Sequence, residues 1–168
     1  MQAVEEAFHL FNLAADQHIP NAEHFLATMH EYGMGIPRDF SKAVHFYERA
    51  ASQGFLESMY HLSLMYVYGR GLPQDFKIAL PLLLDAARED HAPSCYYLGI
   101  CMMYGYGCEL DYELAFNWFE KAASLNDFRV SVKAGEAARG LRIQIDEANA
   151  TNERIFRTLQ HRSEIAAD

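Results

Sequence analysis

The sequence predicts an all-α solenoid, a row of short helical pairs stacked around one continuous core. Three observations predict it. The phrase YGMGIPRDF from Tyr32 to Phe40 returns as YGRGLPQDF from Tyr68 to Phe76 and as YGYGCELDY from Tyr104 to Tyr112, a step of 36 residues without insertion. Apolar residues inside each unit fall at helical intervals, as in Leu62, Met65, Tyr66 and in Ala43, Phe46, Tyr47, Ala50. The columns also agree along the whole unit. Ala43, Ala79 and Ala115 share one, Ala50-Ala51, Ala86-Ala87 and Ala122-Ala123 another, and Phe46-Tyr47, Leu82-Leu83 and Trp118-Phe119 fill the large places between. One period earlier stand Ala7, Leu10-Phe11 and Ala14-Ala15, so a partial repeat precedes the first full one.

Each unit reads as two helices. Helix A covers about 20–32, 56–68 and 92–104, and helix B about 40–53, 76–88 and 112–124. Gly33, Gly69 and Gly105 stop helix A, because a helix end needs a left-handed residue that glycine adopts freely. Asp39, Asp75 and Asp111 then stand where a carboxylate caps the free amides of helix B. Pro81 falls inside the second helix B and predicts a kink or a late start there. Ser131 to Gly140 keeps the helix A pattern, but the glycine turn is gone. Leu141, Ile145, Ala148, Ile155, Phe156 and Leu159 then form one stripe, which predicts a separate capping helix over 143–168, frayed after Arg162.

Composition bounds the function. With 168 residues, 51% hydrophobic and 22% charged, the chain suits one solenoid domain. A net charge of −9 argues against a nucleic-acid partner, whose phosphates call for clustered Lys and Arg. No apolar run approaches the roughly 18 residues of a membrane span. The opening MQAVEEAFHL is acidic where a secretory signal is basic, so an intracellular reducing compartment is expected, the cytoplasm or an organelle interior. Cys95, Cys101 and Cys108 read as free packing thiols, with a Cys101 to Cys108 bridge as the alternative. The eight histidines show no metal-ligand spacing, and no catalytic constellation emerges. The G-x-G pairs recur in every unit at a helix end, as turns do and phosphate loops do not. No metal, cofactor or small-molecule ligand is expected.

The ordered motifs resemble the Sel1-like repeat, a relative of the tetratricopeptide repeat. Lys42-Ala43, Phe46-Tyr47, Arg49-Ala50-Ala51 and Gly54 carry the resemblance in the first full unit, and Ala115, Trp118-Phe119 and Lys121-Ala122-Ala123 in the third. Pro81 and the Cys108-Glu109-Leu110 turn depart from the pattern. The resemblance divides the chain into a partial repeat at 1–18, full repeats at about 20–55, 56–91 and 92–127, and a partial one at 128–142. It implies a right-handed α/α superhelix that assembles protein complexes, without catalysis. β-Lactam chemistry, linked to some secreted relatives, is not expected, because no Ser-x-x-Lys motif is present.

By the same resemblance, a concave groove is lined by fixed helix A positions. They hold Asn21, His24, Thr28, Glu31 and Tyr32 in the first full repeat. The second offers Glu57, Tyr60, Leu64, Val67 and Tyr68, the third Pro93, Tyr96, Ile100, Met103 and Tyr104, and the last Val132, Glu136 and Arg139. An aromatic and aliphatic middle between polar ends suits a peptide or helix of a partner protein. At the N-terminal end, Phe8, Leu10 and Phe11 lie on a helix lacking its pair and form a second expected docking surface. The expected function is therefore an adaptor or scaffold, with a permanent structural subunit of a large assembly as the alternative.

Overall fold

The computed structural model describes residues 2–165, and the side chains of residues 3–157. Among them the chain forms α1 (Gln2–Ala15), α2 (Pro20–Tyr32), α3 (Phe40–Ser52), α4 (Leu56–Tyr68), α5 (Phe76–Arg88), α6 (Ala92–Tyr104), α7 (Tyr112–Ser124) and α8 (Ser131–Ile165), with no strand. Helices α2/α3, α4/α5 and α6/α7 are the three full pairs, and each helix packs on the next, so the core runs unbroken along the stack. This is an all-α helical-repeat solenoid.

The boundaries follow from backbone chemistry. Asp39, Asp75 and Asp111 each accept amide protons from the first turn of helix B, from Lys42 at 3.0 Å, Lys77 at 2.8 Å and Leu114 at 2.9 Å. Helix A ends on a left-handed glycine in all three copies. The residue after that glycine donates back to the helix, as Arg70 N does to Met65 O at 2.9 Å. The second glycine of the turn serves another need. A Cβ on Gly71 would lie 2.7 Å from that of Phe40, the first residue of the preceding helix B, and Gly107 stands in the same relation to Phe76. The repeat-to-repeat contact thus passes through a point with no room for a side chain.

The alanine column at 43, 79 and 115 is fully buried, with Tyr47, Leu83 and Phe119 wedged beside it. Buried carbonyls at helix B ends are met by long cations one repeat later. Arg49 Nη2 donates to Ala15 O at 2.7 Å and also meets the fully buried carboxylate of Glu23 at 2.6 Å; Lys121 Nζ donates to Ala87 O at 2.7 Å. Asp85 takes that place in α5, where it pairs instead with Arg88 at 3.3 Å.

Two expectations need correction. Helix α5 starts at Phe76 and runs 13 residues like α3 and α7, so Pro81 does not delay it. Asp75 nucleates the first turn, and Pro81 is exposed, where water can take the carbonyl its ring leaves unpaired. Helix α8 is one continuous helix from Ser131, not a helix A followed by a separate cap, because no turn motif interrupts it at Gly140. Leu141 and Ile145 of its stripe are buried, whereas Ala148, Ile155 and Phe156 are exposed; the Leu159 side chain and residues 166–168 lie outside the described residues. At the other end, Phe11 stacks on Phe25 at 5.0 Å and Phe8 meets the edge of His30 at 5.9 Å, so both are half-buried against α2 and only Leu10 of the expected trio is exposed. All three cysteines are free thiols, and Cys95 and Cys101 are buried.

Candidate functional site

The helix A face carries a connected set of polar and aromatic side chains. Its centre is Glu57 on α4. Oε2 of Glu57 lies 2.8 Å from Nε2 of His91, whose Nδ1 meets Ser94 Oγ at 2.8 Å, and Oε1 accepts from Arg129 Nη1 at 3.1 Å. The His91 hydrogen bond lowers the Glu57 carboxyl to about 2, against the opposing effect of its burial. Arg129 is in turn held by Asp127, Nη2 to Oδ2 at 2.6 Å.

A second acidic node lies one repeat earlier. Glu31 on α2 accepts from the Tyr47 hydroxyl at 2.7 Å and faces His61 Nδ1 and Arg70 Nη1, each at 3.5 Å. Burial alone would raise its pKa, but the hydrogen bonds from His61 and Tyr47 win and hold it below the ordinary value. His61 bridges the nodes, with Nε2 at 4.0 Å from Glu57, and its ring stacks on Tyr47 at 5.3 Å. His24 meets Ser58 Oγ at 2.9 Å; burial, and then repulsion by His61, lower it to about 4. The contact from Arg129 back to Glu57 joins residues two periods apart on this face.

The apolar part adjoins the network. Tyr60, raised to about 12 by burial and by Glu57, is half-buried among His61, His91 and Tyr97. Tyr96 packs at 5.5 Å from Phe119, while Ile100 and Met103 rest on the Ala115 and Phe119 cluster and Leu64 is half-buried. Tyr32, Tyr68 and Tyr104 are exposed, and the Tyr68 hydroxyl hydrogen-bonds that of Tyr97. Two expected groove residues turn inward. Val67 is 7% exposed and Glu31 5%, so neither offers its side chain to a partner, and His24 spends its ring on Tyr47, Phe55 and His61. Residues not expected at the face are His61, His91, Tyr97, Arg70 and Arg129. A signal existed for two of them: His61 stands in a column with Phe25 and Tyr97, and His91 in one with Ile19 and Phe55. A histidine in an otherwise apolar or aromatic column marks a place with its own polar partner.

Among the described residues no cluster of His, Cys, Asp and Glu has metal-site geometry, and no helix is long and apolar enough to cross a membrane. The arrangement offers shape, aromatic surface and fixed hydrogen-bonding groups.

The sequence profile of the Sel1 repeat matches residues 3–18, 20–55, 56–91 and 92–127. No curated protein matches the chain. Among solved structures it is similar to c5321, a protective antigen of uropathogenic Escherichia coli strains with an SLR fold, at 30% identity and a TM-score of 0.68 over 70% of this chain and 25% of that one. It is also similar to a Sel1 repeat protein from Oxalobacter formigenes, at 28% identity and a TM-score of 0.65 over 71% of this chain and 49% of that one. The match thus spans about a quarter and about half of those proteins. Sel1 repeats generally serve as modules of protein–protein interaction. With four repeat matches running from residue 3 to residue 127 and a stack of helical pairs to go with them, the chain belongs to the Sel1 repeat family.

Proposed function

We propose that the chain is a non-enzymatic adaptor whose inner face holds a peptide or helix of a partner protein. The observation that carries this reading is the half-buried patch of Tyr60, Leu64, Tyr96, Ile100 and Met103 beside a hydrogen-bonded polar network. Aromatic anchors already packed on one side lose little entropy on binding, and contribute most of the energy at interfaces. The exposed rings of Tyr32, Tyr68 and Tyr104 extend the face along three repeats. Glu57 and Arg129 stand beside Tyr60 with their charges already paired, so a partner need not order them.

The test compares wild-type bait with a Tyr60→Ala, Tyr96→Ala double variant in affinity purification and mass spectrometry, followed by titration of the captured protein. Loss of about 2 kcal/mol, or roughly 30-fold in Kd, is expected at unchanged helical content. Equal affinity in the folded double variant would remove the groove assignment.

A further inference from the structure

Interior helices of the stack are covered on two sides: α2 by α1 and α3, α4 by α3 and α5, α6 by α5 and α7. By its columns α1 is a helix B, and it packs on α2; α8 begins in helix A register and packs on α7. The uncovered side of α1 is apolar. Leu10 is 63% exposed and Leu13 49%. The counterparts of Leu10, namely Phe46, Leu82 and Trp118, are half-buried in the core clusters. In the column of Leu13, Arg49 and Lys121 reach back to the preceding helix B. Both positions are therefore ones that later repeats cover from their N-terminal side.

The opposite end carries an open cleft of about 1060 Å³ between α7 and α8, floored by Phe116, Ala123, Gly135 and Ala138. The corresponding groove between α5 and α6 measures about 380 Å³, with Met102 lining it where the wide cleft has the smaller Ala138. The rim of the wide cleft is basic. Arg139 and Arg142 stand on it, with Arg142 also over the Phe116 ring and 3.4 Å from Asp146, and Lys121 is tied to Asp90; Glu120 is the opposing acid. In a chain of net charge −9 this is a local reversal of sign. Helix α1 carries the complement, exposed Glu5 and Glu6 with no Lys or Arg.

We propose that α1 of one copy docks by its Leu10 and Leu13 face in the α7–α8 cleft of a second copy, with Glu5 and Glu6 toward Arg139 and Arg142. Such a contact joins two different surfaces, so copies add head to tail and each open row keeps one free head and one free tail. It uses neither Tyr60 nor Tyr96 and is independent of the groove.

Sedimentation velocity across a concentration series tests it with two blocked variants. Leu10→Glu with Leu13→Glu removes the head, and Arg139→Glu with Arg142→Glu removes the tail; circular dichroism checks that each is helical. A Glu5→Lys, Glu6→Lys head variant, confined to exposed charges, replaces the first if that one unfolds. Wild-type mass is expected to rise with concentration, and each variant to stay monomeric at tenfold higher concentration. An equimolar mixture of the leucine head variant and the tail variant should give a species of twice the monomer mass and nothing larger. With the lysine head variant in that mixture, the reversed head also complements the reversed tail, so growth beyond a dimer is expected there. A wild type that stays monomeric throughout, a tail variant that dimerises by itself, or a mixture that stays monomeric would overturn the proposal.

Discussion

Arg129 Nη1 sits 3.1 Å from Oε1 of Glu57, 72 residues earlier, and so ties the segment before α8 to α4 across an entire intervening repeat. Asp127 holds the guanidinium in place through Nε at 3.0 Å and Nη2 at 2.6 Å. We expect this bridge to set how tightly the stack curls on that side. Arg129→Ala should leave the His91 contact to Glu57 intact, lower stability by about 1 kcal/mol and open the bend. Small-angle X-ray scattering would show a larger radius of gyration; an unchanged radius would mean that helix packing alone fixes the curvature.

His24 makes stability depend on pH. Its folded-state pKa of about 4 lies below the ordinary 6.5, so between those values the unfolded chain binds a proton that the folded chain does not. Stability from this group is complete above about 6.5 and is lost as pH falls toward 4. The loss is on the order of 2–3 kcal/mol. Glu57 acts lower down, between its ordinary 4.5 and about 2, where protonation releases His91 and Arg129. Between pH 7 and pH 4.5 the melting temperature of the wild type should fall further than that of His24→Gln, which lacks the titrating ring. An equal drop in both would assign it elsewhere.

The two classes of glycine predict different costs. Gly71→Ala brings a Cβ to 2.7 Å from Phe40 in a left-handed residue, so clash and strain add, and a loss of at least about 2 kcal/mol is expected. Gly54 has the same kind of backbone with nothing within 4 Å, and Gly54→Ala should cost about 1 kcal/mol. Urea unfolding of the pair checks the order.

Asp85 occupies the column from which Arg49 and Lys121 reach back to the preceding helix B. An Asp85→Lys variant should reach the Ala51 carbonyl, exchange a surface pair for a partly buried charged hydrogen bond and gain about 1 kcal/mol. A melting temperature at or below that of wild type would show that the α5 end differs in geometry from its neighbours.

The parts of the fold that were legible in the sequence are local and periodic. Asp39, Asp75 and Asp111 cap within their own helix turn, and Gly33, Gly69 and Gly105 end theirs, so three copies of one phrase specify them. The Arg129 to Glu57 bridge joins residues two periods apart, which no single repeat encodes. Val67 and Glu31 show a related gap: their columns put them among the expected groove positions, but both side chains are buried, Glu31 against Tyr47, His61 and Arg70. The polar network was hidden because His61 and His91 look ordinary one at a time and are unusual only against Phe25, Tyr97, Ile19 and Phe55 in their columns. Pro81 warned of a break where an exposed helix surface absorbs the missing bond.

The central claim, that the inner helix A face holds the partner, is tested most directly by site-specific photo-crosslinking. A photoreactive residue at Leu64 samples that face, and one at Ile78, exposed on α5, samples a helix B. Crosslinks to a protein partner are expected from position 64 and not from position 78. The reverse pattern, or equal yields from both, would contradict the account.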